Sequence, residues 1–397
     1  PPLRPTFAGG GPGFFGAPGG GGGAPPPPLC QKPAAEGGAG QAAESAPAWE
    51  GLALEDSLEL QYADQFAVDF YEGGYALISV ADGEEYLLVP EDAAVPTGVA
   101  EDVTVLQQPL DSVYLVATSA MDLFVSLDAL DAISLSGTSA ENWYVPEARA
   151  AMEAGEILYA GKYNAPDYER IFAAGCDMAV ESTMIYHAPE VKEQLERLGV
   201  PVFVERSSYE SSPLGRMEWL KLYGVLLGKL EEAEAAFGRA MADLAPVLSQ
   251  ESTGKTVAFF YITSTGAANV RRSGDYVSRM IEMAGGTYIF PDLGEEDSAL
   301  STVNMDMETF YVGARDADVL IYNSTIDGEL HTVAELLDKS PLLADFKAVE
   351  TGDVWCTEQN LFQSTMGLGK MIADIHTVLT QDDPDPASLT YLHRLEG

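Results

Sequence analysis

Between residues 54 and 379 the apolar side chains of this chain recur in two rhythms, and the alternation between them sketches a fold. Short apolar runs at 75–80, 86–89, 112–116 and 200–204 read as strands, while 120–130 and 189–198 carry the three-to-four-residue apolar spacing of helices laid on a sheet. Residues 213–248 differ. Met217, Leu220, Val225, Leu226, Ala233, Phe237, Met241, Leu244 and Val247 keep helical spacing, so this stretch reads as one long helix, or two joined near Gly228. A second α/β region opens at 255–261 and repeats helix and strand through 275–284, 305–314 and 319–322 to an amphipathic helix at 369–379. The pattern predicts an α/β fold of two lobes with parallel-rich sheets, joined by a long connecting helix, with a ligand cleft between the lobes. The expected boundaries are a disordered Gly/Pro-rich leader and tether at 1–50, an N-terminal lobe at 51–212, the connecting helix at 213–249, a C-terminal lobe at 250–381 and a polar tail at 382–397. A helical connector packed on both lobes resists backbone rotation, so modest hinge motion is expected.

Two stretches share a phrase. Tyr168-Glu169-Arg170-Ile171-Phe172 leads through Asp177 and Met178-Ala179-Val180 to Glu181-Ser182-Thr183. Met307-Glu308-Thr309-Phe310-Tyr311 leads through Asp318 and Val319-Leu320-Ile321 to Asn323-Ser324-Thr325. Each copy reads as a turn of helix bearing a glutamate, then a short buried strand ending in small polar residues. Open α/β sheets bind ligands off the C-terminal ends of their strands, so the two copies imply two similar lobes facing one cleft.

Charge removes several partners. Across 397 residues, 62 acidic against 21 basic side chains give a net charge of −41, which repels nucleic-acid phosphates and anionic lipid. No apolar run approaches the roughly 18–20 residues that cross a bilayer. Cys30, Cys176 and Cys356 are too few for a disulfide scaffold and have no metal-ligand spacing, though a Cys176–Cys356 bridge stays open. The Gly- and Pro-rich start cannot bury enough apolar surface to order itself, and its G-x-G-x-x-G match from Gly11 to Gly16 lacks a strand before it and a helix after it. The histidines, His187, His331, His376 and His393, are scattered, and no H-E-x-x-H, G-x-S-x-G or phosphate-loop pattern occurs. Neither an enzyme, nor a bare-metal site, nor a resident cofactor is expected.

Several segments, taken in order, carry a resemblance. Residues 117–137, 161–182, Leu198-Gly199-Val200-Pro201-Val202, 226–233 around Leu227-Gly228-Lys229, 280–286 with Ala284-Gly285-Gly286, and 349–355 resemble the periplasmic-binding-protein family of ABC importers for iron complexes. These are siderophore, haem and cobalamin binders whose lobes are joined by a rigid helix, and the resemblance spans about 54–379. It implies an extracytoplasmic, monomeric substrate-binding component that captures a ferric siderophore or similar iron chelate and delivers it to the transmembrane subunits of an ABC permease. It also implies that Glu169 and Glu308, near the lobe tips, dock on permease arginines, and that Cys30, followed by a small-residue tether, carries a lipid anchor. Haem, cobalamin, another metal complex or an oxyanion are alternative ligands of the same class. A sensory or adhesion domain that kept the fold without transport is the alternative from another class.

Ligand candidates sit at the predicted strand ends: Thr118, Ser119 and Met121; Glu181, Ser182 and Met184; Arg206, Ser207 and Tyr209; and, in the second lobe, Arg271, Arg272, Tyr322, Asn323 and Ser324. Arginine is scarce in so acidic a chain, so the Arg271-Arg272 pair after a strand and turn stands out. Guanidinium groups offer planar, bidentate donors to catecholate, hydroxamate or carboxylate oxygens. Tyr163, Tyr186, Tyr209 and Trp355 are candidate walls.

Overall fold

The computed structural model describes residues 47–294 and 301–397. The Gly/Pro-rich leader, its glycine motif and Cys30 lie outside the described residues. Five strands come first: β1 (Leu54–Ser57), β2 (Phe66–Tyr71), β3 (Tyr75–Val80), β4 (Glu85–Val89) and β5 (Val103–Gln107). They pair in chain order, antiparallel except between β4 and β5. Expected to open the first lobe, they form a sheet of their own. Phe66, Val68, Ile78, Tyr86 and Leu88 join the main core, while Tyr75, Leu87 and Val89 pack with Trp49 and Tyr71 on the other face. The sheet is thus apolar on both faces, and its main-core face is covered by residues later in the chain, such as Trp219 and Phe203.

The first lobe follows, built from β6 (Val113–Leu115), α1 (Met121–Ser126), β7 (Ile133–Ser136), α2 (Pro146–Ala154), β8 (Leu158–Tyr159), a small hairpin of β9 (Gly161–Lys162) and β10 (Ala165–Pro166), α3 (Tyr168–Ala174), β11 (Met178–Ser182), α4 (Pro189–Arg197) and β12 (Val202–Glu205). Its five strands are all parallel, in the order β12-β11-β6-β7-β8, and the central ones are buried on both faces, which is why they read as unbroken apolar runs.

The connector is a helical hairpin, α5 (Pro213–Leu226) and α6 (Leu230–Leu248), rather than one straight helix. Gly228 turns the chain at a φ of +67°, and a methyl group at Gly224 would stand 2.6 Å from the Ala233 side chain, so glycine lets the two helices meet. Beyond it lie β13 (Thr256–Ile262), β14 (Ala268–Arg271), α7 (Tyr276–Met283), β15 (Thr287–Tyr288), β16 (Thr302–Met305), α8 (Met307–Ala314), β17 (Val319–Tyr322), α9 (Ser324–Asp327), α10 (Val333–Lys339), α11 (Lys347–Thr351), β18 (Val354–Thr357), α12 (Leu368–Thr380) and β19 (Leu392–Arg394). Their sheet runs β16-β14-β13-β17-β18-β19 with β15 beside β13, and α12 packs back on α5, α6 and α7.

The expected polar tail is therefore a sheet edge. Asp374 accepts from the amides of Thr390 and Tyr391 (2.8 and 2.6 Å), Tyr391, Leu392 and Leu395 are buried, and β19 pairs antiparallel with β18. Both ring nitrogens of His393 face acceptors, the Leu330 carbonyl and Glu358 Oε1, each at 2.8 Å.

Buried carboxylates hold the N-terminal sheet to α5. Glu218 accepts from the amides of Gln61, Tyr62 and Ala63 (2.8–3.0 Å) and from Lys221 Nζ at 2.8 Å. Glu210 accepts from the amides of Asp64 and Gln65 and from Trp219 Nε1, while burial pushes its carboxyl up to about 7. Phe66 stacks edge-on against Trp219 at 5.0 Å, and Tyr86 packs on Phe203 at 4.9 Å. Glu218 is fully buried, so Glu218→Ala strands three amides and an ammonium, and is expected to cost about 3–5 kcal/mol in denaturant unfolding. Burial alone would raise the Glu218 carboxyl, but Lys221 and the three amides hold it below its ordinary value of 4.5. Its contribution is therefore present above that pH and lost as acid titrates the folded state through its lower value.

Candidate functional site

A cavity of about 700 Å³ opens off the C-terminal ends of the first lobe's parallel strands, where the two lobes face each other. Val116, Thr118 and Ser119 follow β6; Gly137, Thr138, Ser139 and Asn142 follow β7; Tyr159, Lys162 and Tyr163 come from the β8–β9 region; Ser182, Glu205 and Ser208 close the wall. Gly137 packs closely on Val116, since a methyl there would stand 3.0 Å from the Val116 side chain. Opposite are Arg216 from the first turn of α5 and, from the second lobe, Arg271, Tyr276, Ser301 and Phe362.

Among the described residues three cations border this space, Lys162, Arg216 and Arg271, against one carboxylate, Glu205. Glu205 is already engaged, accepting from Ser119 Oγ at 2.8 Å and the Ser207 amide at 2.7 Å. Arg271 Nη1 lies 3.7 Å from Asp275 Oδ2, and its guanidinium sits 4.9 Å over the Phe362 ring. Asp275 caps α7 by accepting from the Val277 amide at 2.9 Å; burial raises its carboxyl, with Arg271 and Arg216 pulling the other way. Arginines whose faces rest on rings keep their N–H edges for planar oxyanions. Beside the cavity the lobes are already tied: the Gln363 side chain accepts from the Tyr144 amide (2.7 Å) and donates to the Asn142 carbonyl (2.9 Å), and Thr365 Oγ1 donates to the Ser119 carbonyl at 2.7 Å. The Met366 amide donates to Asp122 at 2.7 Å, an aspartate whose carboxyl burial pushes up to about 6.

Of the ligand residues expected from sequence, Thr118, Ser119, Ser182 and Arg271 line the cavity, as does Tyr163. The others lie elsewhere. Met121 is buried in the main core. Glu181 is fully buried, its carboxylate oxygens have no partner among the described residues, and burial pushes the group up to about 8. Met184 and Tyr209 are exposed outside the cavity, and Arg206 is drawn away to Asp82 at 3.1 Å while stacking on Tyr209. Tyr186 donates to the same Asp82 at 2.6 Å. Arg272 alternates away from Arg271 and lies over Gly294. Tyr322, Asn323 and Ser324 are buried in the second lobe, because the polar end of that copy caps α9: Asn323 Oδ1 accepts from the Thr325 amide and hydroxyl, and the Ser324 amide donates to Thr357 Oγ1 at 3.0 Å. Trp355 is buried under Arg394. Cys176 and Cys356 are both free, so the bridge left open is not formed. Lys162, Glu205, Arg216, Tyr276 and Phe362 escaped the sequence reading; Arg216 alone offered a signal, as a cation in the first turn of a long apolar helical stretch.

The duplicated phrase is duplicated in local structure. Asp167 and Asp306 cap α3 and α8 by accepting from Arg170 and Thr309 amides (3.1 and 2.9 Å), which puts Glu169 and Glu308 exposed in the first turns. Asp177 then accepts from the Ser112 amide at 3.0 Å beside β6, and Asp318 from the Thr256 amide at 2.7 Å at the start of β13, so Asp318 is the counterpart of Asp177. Phe172 and Val312, one turn beyond the glutamates, are 65% and 77% exposed.

Two lobes facing one charge-lined cavity across a helical hairpin define a ligand-binding receptor. The chain belongs to the periplasmic binding protein family, whose profile matches residues 116–361, more than half of its length. The sequence-level resemblance holds at the level of the family, and with it the extracytoplasmic location. The N-terminal sheet precedes the matched region. The chain is 26% identical over 348 residues to an uncharacterized lipoprotein of Methanocaldococcus jannaschii, covering 83% of this chain and 81% of that one. A second lipoprotein of that organism is 24% identical over 314 residues, covering 76% and 78%. In fold it is similar to the periplasmic heme-binding protein HutB of Vibrio cholerae, with a TM-score of 0.56 at 15% identity, covering 69% of this chain and all of that one. An Fe3+-hydroxamate transport protein of Saccharomonospora viridis gives a TM-score of 0.54 at 19% identity, covering 69% and 94%. Among the described residues no helix is long and apolar enough to cross a membrane.

Removing Arg271 leaves Asp275 buried with its nearest cation gone. Arg271→Ala is expected to cost about 1–3 kcal/mol in denaturant unfolding, and Arg271→Ala with Asp275→Ala less than the sum of the two single changes. Additive losses would show that the pair does not interact.

Proposed function

We propose that the protein is the extracytoplasmic substrate-binding component of an ABC importer, and that its cargo is an anionic iron chelate of the ferric-siderophore type. The observation that carries this reading is a cavity bordered by Lys162, Arg216 and Arg271 in a chain whose net charge is −41. Cations placed against the chain's overall composition point to an anionic occupant. The names of the Vibrio and Saccharomonospora proteins, a heme binder and a hydroxamate transporter, support an iron-complex cargo. The lipoprotein relatives support an anchor at Cys30. Glu169 and Glu308 serve as the permease contacts, with Phe172 and Val312 adding apolar contact one turn on.

Tryptophan fluorescence tests the cargo, since Trp143 donates to Ser136 Oγ beside the cavity wall. Titration with ferric catecholate, hydroxamate and citrate complexes, haem and cobalamin is expected to show saturable binding of anionic ferric complexes. Arg271→Ala should weaken it roughly ten- to hundredfold while Arg272→Ala leaves it near the parent. Tight binding of haem or cobalamin alone would overturn the reading.

Glu169→Ala with Glu308→Ala is expected to leave ligand affinity unchanged while uptake by the reconstituted importer collapses. Normal uptake, or a large loss of affinity, would refute the docking role.

A further inference from the structure

The last strand of the chain fastens a loop that forms part of the cavity wall. That loop, residues 358–366, leaves β18, carries Phe362 into the lining, and sets Gln363, Thr365 and Met366 against the first lobe. Both of its ends rest on the C-terminal segment. At its head the Glu358 amide donates to the Tyr391 carbonyl at 3.0 Å, and the Glu358 carboxylate faces His393 Nδ1 at 2.8 Å. Just past its foot the Tyr391 hydroxyl lies close against Gly367. The second ring nitrogen of His393, Nε2, faces the Leu330 carbonyl, also at 2.8 Å, in the segment that leads to α10. A neutral imidazole has one N–H and one bare nitrogen, and a bare nitrogen cannot stand at hydrogen-bond distance from an oxygen that only accepts. Facing an acceptor on each side, the ring carries both protons and a positive charge.

We propose that His393, protonated on both ring nitrogens, is a positioning residue of the binding cavity: it pins Glu358 at the head of the loop and, through that residue, sets Phe362 in the wall and Gln363 against the first lobe. The C-terminal strand then belongs to the binding site, although His393 itself is not among the residues that line the cavity. This holds whichever cargo the cavity takes. The groups around the ring agree with a fixed cation. Cys356 stands directly across the ladder, the His331 ring stacks on it at 5.3 Å, and Arg394, next along β19, turns away to Asp353 and Asp383. The Cys356 thiol, the Leu330 carbonyl and Glu358 hold its pKa up to about 10, with burial opposing them. Released from these partners the ring titrates at its ordinary value of 6.5. The tie is therefore complete below that pH, weakens as pH rises, and is lost as pH passes through about 10.

The test uses the ligand-free protein, so its outcome does not depend on the cargo. Nitrogen NMR of ring-labelled histidine at about pH 7.5 is expected to find both nitrogens of His393 protonated; a single protonated nitrogen overturns the proposal without any variant being made. Amide exchange, corrected for base catalysis, is then followed from about pH 7 to about 9.5 at Glu358, Leu361 and Gln363 in the loop and at Tyr144, whose amide donates to the Gln363 side chain across the lobe boundary. In the native protein, protection at all four should fall by up to about tenfold per pH unit, the limit set by one proton. His393→Gln has no proton to lose there, so it should exchange roughly tenfold or more faster at the start of the range and show no such slope. Asp374→Asn loosens the same strand through the Thr390 and Tyr391 amides, and should speed exchange while keeping the slope. Native protection that is flat with pH, or a slope that survives in His393→Gln, would remove His393 from the role. Loop amides that respond while the Tyr144 amide stays as in the native protein would confine the effect to the sheet edge, and that too overturns the inference.

Discussion

Glu218 and Glu210 take up five successive backbone amides, those of residues 61–65, and the rest of the molecule is placed by that capture. The two carboxylates bracket the start of α5, so the N-terminal sheet, the first lobe and the connector are fixed to one another there. Arg216 lies between them in sequence, and Glu210 holds it through its own backbone carbonyl. A buried carboxylate that is fully hydrogen-bonded tolerates little displacement, because each lost partner exposes a desolvated charge. The cleft arginine is therefore mounted beside a buried, hydrogen-bonded clamp, as a site built on pre-organised supports requires.

The charge distribution divides two tasks. The overall −41 keeps the protein soluble and averse to other polyanions. Two of the cations are held inside the cavity, Arg216 against two backbone carbonyls and the Tyr276 ring and Arg271 over the Phe362 ring, where screening by salt is weaker than at the surface. An anion thus meets a surface that discourages casual binding and a small interior that favours it. Selectivity of this kind depends on distance, because the repulsive field fades within about 8 Å in physiological salt.

How much could be read from sequence follows the range of the forces involved. The duplicated phrase was legible because its parts act locally: Asp167 and Asp306 cap the next turn, and Asp177 and Asp318 sit directly before their strands. Parallel strands were legible because burial on both faces leaves an unbroken apolar run. The separate N-terminal sheet was not, since strands such as β3 and β4 look alike whether a helix or another strand follows. The polar ends of the two copies looked equivalent and both cap a short helix, Ser182 accepting from the Met184 amide and Asn323 from the Thr325 amide, yet Ser182 lines the cavity while Asn323 is buried, and no pattern in the phrase announces it. Arg216 was missed because its partners are two carbonyls behind it and a ring sixty residues ahead. Such a convergence exists only after the lobes have formed.

The clamp at residues 61–65 also dictates an order of events. Its partners lie some 150 residues downstream, so the N-terminal sheet cannot complete its packing until α5 exists. Closing a loop of that length is a slow, entropically opposed step compared with forming hairpins or helices. For a chain that must leave the cytoplasm, this arrangement is useful. The segment that emerges first stays unfinished, with Phe66, Tyr86 and Leu88 lacking the surface they cover, until the first lobe and the start of the connector have followed it. The fold postpones its own completion, and a protein that folds late is one that can still be threaded through a membrane.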